Sequence, residues 1–365
     1  MRILFVVGAR PNFMKIAPIM REMAKYHSEF EQILVHTGQH YDANMSQLFF
    51  DELDLPRPDL NLEVGSGSHA WQTAQVMLGF EPVLLNYRPD WVLVPGDVNS
   101  TLACTLVASK LGFNLAHVEA GLRSFDRTMP EEINRLLTDQ LADLLFTPSR
   151  DADENLLREG IPLKKIHFVG NLMIDTLVRL LPMAEVRWPV MRARFGLDHY
   201  LLVTLHRPSN VDDPNMLAEI MVALAEISRQ VRVIFPMHPR TRSRIVSLDL
   251  SLPTDNLLLI EPLGYMDFLA LETHASLVLT DSGGVQEETT YLGVPCLTVR
   301  PNTERPVTIM SGTNRLVAGK RGTLVRSVLE RLNEGARQAA ANIHRPEFWD
   351  GKASNRLMRI LFKTT

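Results

Sequence analysis

Residues 280–288 have the sequence TDSGGVQEE, and they directly follow the apolar run 275–279, which contains one serine. An apolar run of this length that ends at a glycine-rich turn is typical of a buried parallel strand. The residues after the turn, 285–291, can form a helix. The stretch therefore predicts a strand, a tight turn and a helix in succession, which is the repeating unit of α/β proteins.

The turn itself, Ser282, Gly283 and Gly284, is a candidate ligand site. Such a turn points free backbone N–H groups and the positive end of a helix dipole at anything above the sheet, which favours phosphate. Glu288 lies one turn into the predicted helix, where a carboxylate can accept hydrogen bonds from ribose hydroxyls. The alternative is an ordinary strand–helix turn in which the serine caps the helix and the glycines adopt positive φ angles.

The same alternation of short apolar runs and helix-length segments covers the whole chain. It predicts an α/β fold of parallel sheets with helices on both faces, whose ligands lie beyond the carboxyl ends of the strands. The predicted strands are 3–7, 32–37, 91–94, 114–118, 144–147, 166–169, 201–204, 231–235, 257–260, 277–280, 296–299 and 315–317.

The chain has 365 residues, which is long for one hydrophobic core, so two domains are expected. The alternation restarts after residue 170. We therefore predict two Rossmann-like domains, residues 1–170 and 171–345, with the active site in the cleft between them. Residues 346–365 are expected to form a helix that docks back on the first domain.

Composition argues against several classes of protein. A hydrophobic content of 45% and a charged content of 22% are ordinary for a globular protein. The net charge of −4 and the lack of any Lys/Arg run argue against nucleic-acid binding. No stretch approaches the roughly 18 apolar residues of a membrane span. The first apolar run is too short for a signal peptide and predicts a strand.

Cysteine use and motif content narrow the chemistry. Cys104 and Cys296 lie far apart without metal-ligand spacing, so two reduced core thiols and a cytoplasmic protein are expected. The first strand is not followed by G-x-G-x-x-G, and the chain has no P-loop, H-E-x-x-H or C-x-x-C motif. We therefore expect neither a nicotinamide cofactor nor a zinc centre.

Two cations follow the first predicted strand. Residues 8–12 read GARPN, and the helix after them carries Lys15. Arg10 and Lys15 at a helix start suit a diphosphate, which arginine can hold with two parallel hydrogen bonds. The alternative is that both are solvated surface charges.

Three carboxylates of the first half are candidates for general acid and base. Asp97 and Glu119 directly follow predicted strands, where an acid is poorly placed for a solvated face. Glu131 begins a predicted helix. It lies four residues before Arg135, and a surface ion pair between the two is the alternative.

Two histidines follow strands of the second half. His206 ends the first of these strands and can titrate near neutral pH or hold a phosphate. His238 repeats the pattern weakly, and we expect a structural role for it.

Six motifs identify a family resemblance. They are, in order, GARP at 8–11, PGD at 95–97, HVEAGLR at 117–123, PEEINR at 130–135, DSGGVQEE at 281–288 and TERP at 303–306. Together they closely resemble the non-hydrolysing UDP-N-acetylglucosamine 2-epimerases of bacteria and archaea, over essentially the full length. The resemblance implies the two-domain glycosyltransferase-B fold, a homodimer and no cofactor. It also implies reversible conversion of UDP-N-acetylglucosamine to UDP-N-acetylmannosamine by elimination and re-addition of UDP through 2-acetamidoglucal.

The resemblance also assigns roles to individual residues. The positions that match the family's catalytic residues are Lys15, Asp97, Glu119, Glu131, Arg135 and His206. Those that match its UDP-sugar contacts are Arg10, Phe268, Ser282, Gly283, Gly284, Glu288 and Arg305.

The sequence departs from the family at three places. Around His206 it reads LHRPSN where many members have GHRRE, and Leu263 stands where some members place glutamine near the nucleotide. Gln39 and His40 resemble part of a second, regulatory UDP-N-acetylglucosamine site, but residues 65–69 do not match it. Regulation is therefore left open.

Four alternative functions remain at this point. A related epimerase could act on a UDP-diacetamido-uronic acid, and a glycosyltransferase of the same fold would share the nucleotide-binding half. A hydrolysing epimerase would release free N-acetylmannosamine. In a glycosyltransferase the three acids and Lys15 of the first half would lack a purpose. The last alternative is a catalytically silent nucleotide-sugar sensor, against which the intact set of acids argues.

Overall fold

The structure, a computed structural model, describes residues 1–39, 52–237, 239–248, 255–338 and 344–364. The chain divides into two compact units. Unit 1 comprises Met1–Arg179 and Glu347–Thr365, and unit 2 comprises Leu180–Pro346. The division therefore lies a few residues beyond the predicted boundary at residue 170.

Unit 1 is built on a parallel sheet of seven strands in the order β3-β2-β1-β4-β5-β6-β7. The strands are β1 (Arg2–Val7), β2 (Glu31–His36), β3 (Leu60–Asn61), β4 (Trp91–Pro95), β5 (Asn114–Val118), β6 (Leu144–Thr147) and β7 (Ile166–Phe168). Unit 2 is built on a parallel sheet of six strands in the order β10-β9-β8-β11-β12-β13. These are β8 (Tyr200–Thr204), β9 (Arg232–Pro236), β10 (Leu257–Ile260), β11 (Leu277–Thr280), β12 (Cys296–Val299) and β13 (Asn314–Val317). The predicted α/β class with parallel sheets is confirmed.

Helices cover both sheets. In the first part of the chain they are α1 (Arg10–Ala24), α2 (His69–Tyr87), α3 (Asn99–Lys110), α4 (Pro130–Leu141), α5 (Arg150–Arg158) and α6 (Leu172–Phe195). The following helices are α7 (Pro208–Val211), α8 (Pro214–Ile227), α9 (Pro239–Ser247), α10 (Tyr265–His274), α11 (Gly283–Leu292), α12 (Val307–Met310), α13 (Arg321–Gln338) and α14 (Ala353–Leu361). Short 3₁₀ turns lie at Leu163–Lys165 and Phe362–Thr364. No helix of the described residues is long and apolar enough to cross a membrane.

The strands form because they are apolar on both faces. In β1 the side chains of Leu4 and Val6 pack into one core cluster with Ile33 and Val92 of the neighbouring strands. Full burial of such a side chain contributes about 1.5–3 kcal/mol. Unit 2 has a corresponding cluster around Leu201. Continuous apolar runs of this kind are expected for parallel strands that have helices on both sides.

The segment that follows the predicted domain boundary at residue 170 is helical from Leu172 onward. Helix α6 continues through Pro182 and Pro189 to Phe195. Asp175 on this helix caps α14: its carboxylate accepts hydrogen bonds from the Ala353 and Ser354 backbone N–H groups at 2.9 and 2.8 Å. The C-terminal helix is thereby held on unit 1.

Each sheet has one position where the strand order reverses, which is where open α/β sheets bind ligands. In unit 1 it lies between β1 and β4, and in unit 2 between β8 and β11. The turns after β1 and β4 carry Gly8 and Gly96, and those after β8 and β11 carry His206 and Ser282. Four of the predicted site segments therefore lie at the two reversal points.

Candidate active site

The carboxylate of Glu119 contacts the ammonium of Lys15, and both side chains are more than nine-tenths buried. Lys15 is on α1, which follows β1, and Glu119 directly follows β5. Gly96, after β4, lies against the same ammonium, because a Cβ built on it would be 2.8 Å from Lys15 Nζ. The ammonium of Lys15 therefore lies between the turn after β4 and the carboxylate of Glu119.

Glu119 has a left-handed backbone, with φ of +72°. This conformation is uncommon outside glycine, and strained backbone of this kind clusters at functional sites. It turns two successive N–H groups, those of Glu119 and Ala120, toward the carbonyl of Phe146 at 3.1 and 3.0 Å. The chain thus turns sharply after β5, and this turn fixes the position of the Glu119 Cα atom.

Asp97 is held by Arg135 of α4. Oδ2 of Asp97 accepts hydrogen bonds from Arg135 Nε at 3.1 Å and Nη2 at 2.7 Å, so two nitrogens of one guanidinium hold a single carboxylate oxygen. Arg135 is buried, whereas the side chain of Asp97 is 29% exposed. Asp97 is thus oriented by the arginine and still reachable by solvent.

Glu131 and Glu132 are adjacent but have different surroundings. Glu132 is fully buried, contacts Arg135 and accepts hydrogen bonds from the N–H groups of Ser124 and Phe125 at 3.0 and 2.9 Å. Glu131 is half-buried, and its carboxylate makes no hydrogen bond or ion pair within the described part of the chain. The alternative of a surface ion pair between Glu131 and Arg135 is therefore wrong. Arg135 pairs with Glu132 and Asp97 instead.

His117 connects the turn after β4 to the buried carboxylate of Asp139. Nδ1 of His117 lies 2.6 Å from Oδ1 of Asp139, and Nε2 lies 2.7 Å from the Gly96 carbonyl oxygen. A carbonyl only accepts, so Nε2 carries a proton. Burial raises the pKa of Asp139, but the nearby charges of His117 and Arg123 outweigh burial and hold it below its ordinary value. Asp139 also pairs with Arg123, whose Nη2 lies 2.7 Å from Oδ2, so the buried carboxylate joins two side chains below the β4 turn.

The β1 turn is fixed to the β4 turn by Asn12. Its Oδ1 accepts hydrogen bonds from the Gly8 and Ala9 N–H groups at 3.1 and 3.0 Å, and its Nδ2 donates to the Pro95 carbonyl at 3.0 Å. One amide thereby joins the two loops at the reversal point of the sheet. The side chain of Arg10, which begins α1, lies outside the described residues.

Gln39, one of the two residues that resemble a regulatory site, is hydrogen-bonded to Ser100 at the start of α3. Its Oε1 accepts hydrogen bonds from Ser100 N at 3.0 Å and Ser100 Oγ at 2.6 Å, and the residue is buried. His40, the other residue of the possible regulatory site, lies outside the described residues.

Asp281 organises the reversal point of unit 2. Its buried carboxylate accepts hydrogen bonds from the backbone N–H groups of His206 and Arg207 at 3.1 and 2.9 Å and from Asn210 Nδ2 at 3.0 Å. The His206 ring lies 3.0 Å away through Nδ1 and is 56% exposed. Burial raises the pKa of Asp281, but the hydrogen bond and charge of His206 outweigh burial and lower it below its ordinary value. The contact between Nδ1 and Asp281 therefore orients the His206 ring, and its outer nitrogen, Nε2, is left to solvent.

The Ser-Gly-Gly turn leads directly into α11. Gly283 and Gly284 are helical with no positive φ, and Ser282 makes no side-chain cap within the described residues. The alternative, in which Ser282 caps the helix and the two glycines adopt positive φ angles, is therefore wrong. Gly283 is required for a different reason: a Cβ there would run into the guanidinium of Arg305.

Arg305 is buried between two acids. Its Nε lies 2.8 Å from Glu287 and its Nη1 2.5 Å from Glu304. These contacts fix the plane of the guanidinium beside the N-terminus of α11. A guanidinium and the N-terminal N–H groups of α11 therefore lie at the same turn.

Glu288 is buried one turn further along α11 and accepts a hydrogen bond from the Tyr265 hydroxyl at 2.7 Å. Glu272, fully buried on α10, lies close to it. Burial first and then the charge of Glu288 raise the pKa of Glu272 well above its ordinary value. Phe268 is half-buried on the same helix, packed in a core cluster. A cavity of about 480 Å³ opens at the end of β10 and is lined in part by Leu263 and Gly264.

The predicted residues fall into two groups. In unit 1, Lys15 and Glu119 are in contact, and Asp97 and Arg135 are paired. Glu131 stands apart from these pairs. In unit 2, the residues at or beside the α11 turn are His206, Ser282, Gly283, Gly284, Glu288 and Arg305. His238 lies outside the described residues, and no group of three metal-ligating side chains occurs among those described.

Sequence reasoning missed the residues that hold these groups in place. Asp139 is 22 positions from His117 in the chain, and no local pattern connects them. Asn12 and Asn210 fix the turns after β1 and β8. Both asparagines lie within three or four residues of a predicted site residue, and this proximity is the only sequence feature that could have indicated their role.

Comparison with known proteins agrees with the predicted resemblance. A family model described as UDP-N-acetylglucosamine 2-epimerase matches residues 22–362. The UDP-N-acetylglucosamine 2-epimerase of Methanocaldococcus jannaschii is 46% identical over 99% of both chains. The UDP-2,3-diacetamido-2,3-dideoxy-D-glucuronate 2-epimerase of Pseudomonas aeruginosa is 42% identical over 100% of both chains. The crystal structure of the M. jannaschii UDP-GlcNAc 2-epimerase in complex with UDP-GlcNAc and UDP has a TM-score of 0.90 at 45% identity, with 100% of both chains covered. The chain therefore belongs to the UDP-N-acetylglucosamine 2-epimerase family.

Proposed function

We propose that the protein interconverts UDP-N-acetylglucosamine and UDP-N-acetylmannosamine by inverting the configuration at C2. The observation that carries the proposal is the buried pair of Lys15 and Glu119 beside Asp97, at the reversal point of the first sheet. Family membership supplies the substrate class, since the M. jannaschii relative is a UDP-GlcNAc 2-epimerase whose structure holds UDP-GlcNAc and UDP.

The proposed route is elimination followed by re-addition. The C2 proton of the sugar is not acidic, because no carbonyl is adjacent to it in the ring. It can leave as the C1–O bond breaks, so that UDP departs with the bonding electrons and 2-acetamidoglucal forms. Protonation of C2 on the opposite face and return of UDP to C1 complete the inversion. Each cycle removes one proton and adds one, with no net oxidation.

Unit 1 supplies the proton carriers in this proposal. Two faces of C2 require two carriers with different surroundings. Glu119 is buried against a cation, whereas Asp97 is partly exposed and held by Arg135. Glu131, half-buried without a partner among the described residues, is the third candidate. Lys15 offsets negative charge beside Glu119, and Arg135 orients Asp97.

Unit 2 supplies recognition of UDP in this proposal. The diphosphate gains negative charge as the C1–O bond breaks, and fixed donors aimed at developing charge are expected to be the largest catalytic contribution. Those donors are the N-terminus of α11 at Ser282–Gly284, the guanidinium of Arg305 and the outer nitrogen of His206. Glu288 accepts from the ribose hydroxyls. We assign the uracil base to the cavity beside Leu263, whose backbone groups replace the side chain found in other members.

The second candidate substrate is a UDP-2,3-diacetamido-uronic acid. The P. aeruginosa epimerase named for that sugar is 42% identical, close to the 46% of the M. jannaschii enzyme. The two sugars differ at C3 and C6, where the uronic acid carries an acetamido group and a carboxylate. The C2 chemistry is the same for both.

The test is to incubate the purified full chain separately with each UDP-sugar and to identify products by NMR and chromatography. UDP-N-acetylmannosamine from UDP-N-acetylglucosamine supports the proposal. Preferential conversion of the diacetamido-uronic acid would replace it with the second candidate. UDP together with free N-acetylmannosamine would indicate the hydrolysing reaction, and turnover only with an added acceptor would indicate a glycosyltransferase. Tight binding without any conversion would indicate a sensor.

We also propose that the protein is a cytoplasmic homodimer. The dimer is inferred from family membership. The cytoplasmic location is inferred from Cys104 and Cys296, which are both free thiols inside the core, as expected in a reducing compartment. Sedimentation of the purified protein tests the first inference, and fractionation of cells tests the second.

A further inference from the structure

A cavity of about 10 Å³ lies directly beside the Lys15–Glu119 pair in unit 1. Three of its lining residues have polar side chains, Lys15, Glu119 and Asn171, and the remaining lining residues are apolar or glycine and lie at the ends of β5, β6 and β7. This volume is near the lower limit for one water molecule, and a buried water requires two to four polar partners. An acetamido group is far too large for it.

Asn171 is 4% exposed and immediately precedes α6. Its Oδ1 accepts a hydrogen bond from the Met173 N–H at 2.8 Å, as an N-cap residue does. Its Nδ2 has no hydrogen-bond partner among the residues that the structure describes. Capping explains the oxygen of this side chain but not the buried NH₂ group, and Asp or Ser would cap equally well.

A buried donor without an acceptor is costly, and the cavity that Asn171 lines is also lined by an acid, Glu119. The three polar side chains around it are complementary. Asn171 and Lys15 donate, and the Glu119 carboxylate accepts. A water in the cavity would therefore accept from the donors and donate to Glu119.

We propose that Asn171 is a positioning residue, which holds the Glu119 carboxylate through one water in this cavity. The inference rests on the proposed function, because it matters for turnover only if Glu119 carries a proton to or from C2. The amide keeps the carboxylate aimed and ionised together with Lys15, the charged group that contacts Glu119 from α1. Asn171 itself contacts no reacting atom.

The experiment separates the cap from the donor with Asn171→Asp and Asn171→Ser. Both variants keep an N-cap oxygen, and both remove the NH₂ donor. Asp213→Ser is the matched control, because Asp213 caps α8 through Asn215 N at 2.9 Å at an exposed position in unit 2. Melting temperature, kcat, KM and the pH profile of kcat are measured for all four proteins.

We expect both Asn171 variants to lose kcat by about tenfold or more, with KM within about twofold of wild type. In Asn171→Asp, a second anion beside Glu119 makes its carboxylate harder to ionise. The limb of the pH profile that reports this acid therefore moves to higher pH. Asn171→Ser introduces no charge, so its limb moves less. Asp213→Ser is expected to match wild type in kcat and in pH profile.

Near-normal kcat and an unmoved pH profile in both Asn171 variants would overturn the proposal and leave Asn171 as a helix cap only. If the aspartate variant fails to fold, the serine variant decides the question through kcat alone. Wild-type activity is the separate check: an active wild type with normal variants rejects the role of Asn171, and an inactive wild type rejects the proposed function.

Discussion

The ammonium of Lys15 contacts the carboxylate of Glu119, and both side chains are withdrawn from solvent. A buried ion pair is costly to break, because removing one partner leaves the other charged and unsolvated. The pair is enclosed by the turn after β4, where Gly96 lies against the ammonium. The geometry of one glycine therefore determines whether the cation can reach the acid.

We predict that Gly96→Ala reduces kcat/KM by about 10²-fold, since displacements of the order of 1 Å at a catalytic group have effects of this size. Gly112→Ala is the matched control. Both glycines have positive φ, +64° and +76°, but a Cβ at Gly112 would meet nothing within 4 Å. Both variants should lose about 1–2 kcal/mol of unfolding free energy from the left-handed backbone. Denaturant unfolding and steady-state kinetics measure the two effects. Equal activity losses in the two variants would show that backbone strain, and not the Lys15 contact, is responsible.

Glu131 and Glu132 are predicted to respond oppositely to the same change. Glu131→Gln should reduce turnover by roughly 10²–10⁴-fold, the usual size of a lost acid or base, with an unchanged melting temperature. Glu132→Gln should lower the melting temperature, because Glu132 is buried against Arg135 and two backbone N–H groups. Thermal melts and initial rates distinguish the two. A stability loss at Glu131 with normal turnover would remove it from the proton carriers.

Asp97→Asn should also reduce turnover by roughly 10²–10⁴-fold, with UDP affinity retained, because no proposed UDP contact is made by Asp97. The amide keeps the size of the side chain, and its one carbonyl oxygen can take the place of Oδ2, which accepts both hydrogen bonds from Arg135. Calorimetric titration with UDP and initial rates measure the two quantities. Near-normal turnover in both Asp97→Asn and Glu131→Gln would reject the proposed acid–base assignment.

Gly283→Ala is predicted to weaken UDP binding by about tenfold, equivalent to about 1.4 kcal/mol, because the added methyl occupies the place of the Arg305 guanidinium. Gly322→Ala is the control: it is the second residue of α13, where an added Cβ would meet nothing within 4 Å, and it should leave UDP affinity unchanged and stability equal to or slightly above that of wild type. Titration with UDP and denaturant unfolding provide the readouts. Unchanged UDP affinity in Gly283→Ala would exclude Arg305 from the diphosphate site.

A pH dependence of stability is predicted from Glu272. Its raised pKa means that the folded protein holds this proton more tightly than the unfolded chain. The stabilisation is fully present below the ordinary value of 4.5 and is lost as pH rises toward the folded pKa. Glu272→Gln does not titrate, so its melting temperature relative to wild type should increase from about pH 5 to about pH 8. A difference that stays constant over that range would mean that Glu272 titrates normally.

The strands could be predicted well because each is a short apolar run between glycine, proline or polar residues. The exceptions have physical reasons. β3 is a two-residue strand, Leu60–Asn61, that exists only through its pairing with Val35 and His36. Helix α6 contains two prolines, which ordinarily predict a helix end. Its N-terminus is stabilised by Asn171, and its Asp175 caps α14.

The site was less visible than the fold. Asp97, Glu119 and Ser282 could be selected because they follow strands, where polar residues require a reason. Lys15 and Arg135 were also selected, but which acid each contacts could not be predicted, since Asp97 and Arg135 are 38 positions apart. Asp139 was not selected at all, because it lies 22 positions from His117. Sequence motifs indicated which residues belong to the site, and the structure indicates which of them orient the others.

The most direct test of the account is proton NMR of the wild-type protein with UDP-N-acetylglucosamine in D₂O, with Asp97→Asn as the comparison. Removal and return of the C2 proton predict UDP-N-acetylmannosamine that carries deuterium at C2, with deuterium also entering C2 of the recovered UDP-N-acetylglucosamine. The Asp97→Asn variant should show strongly reduced exchange. Epimerisation that leaves hydrogen at C2 in both sugars would contradict proton transfer by Asp97, Glu119 or Glu131, and with it the central claim.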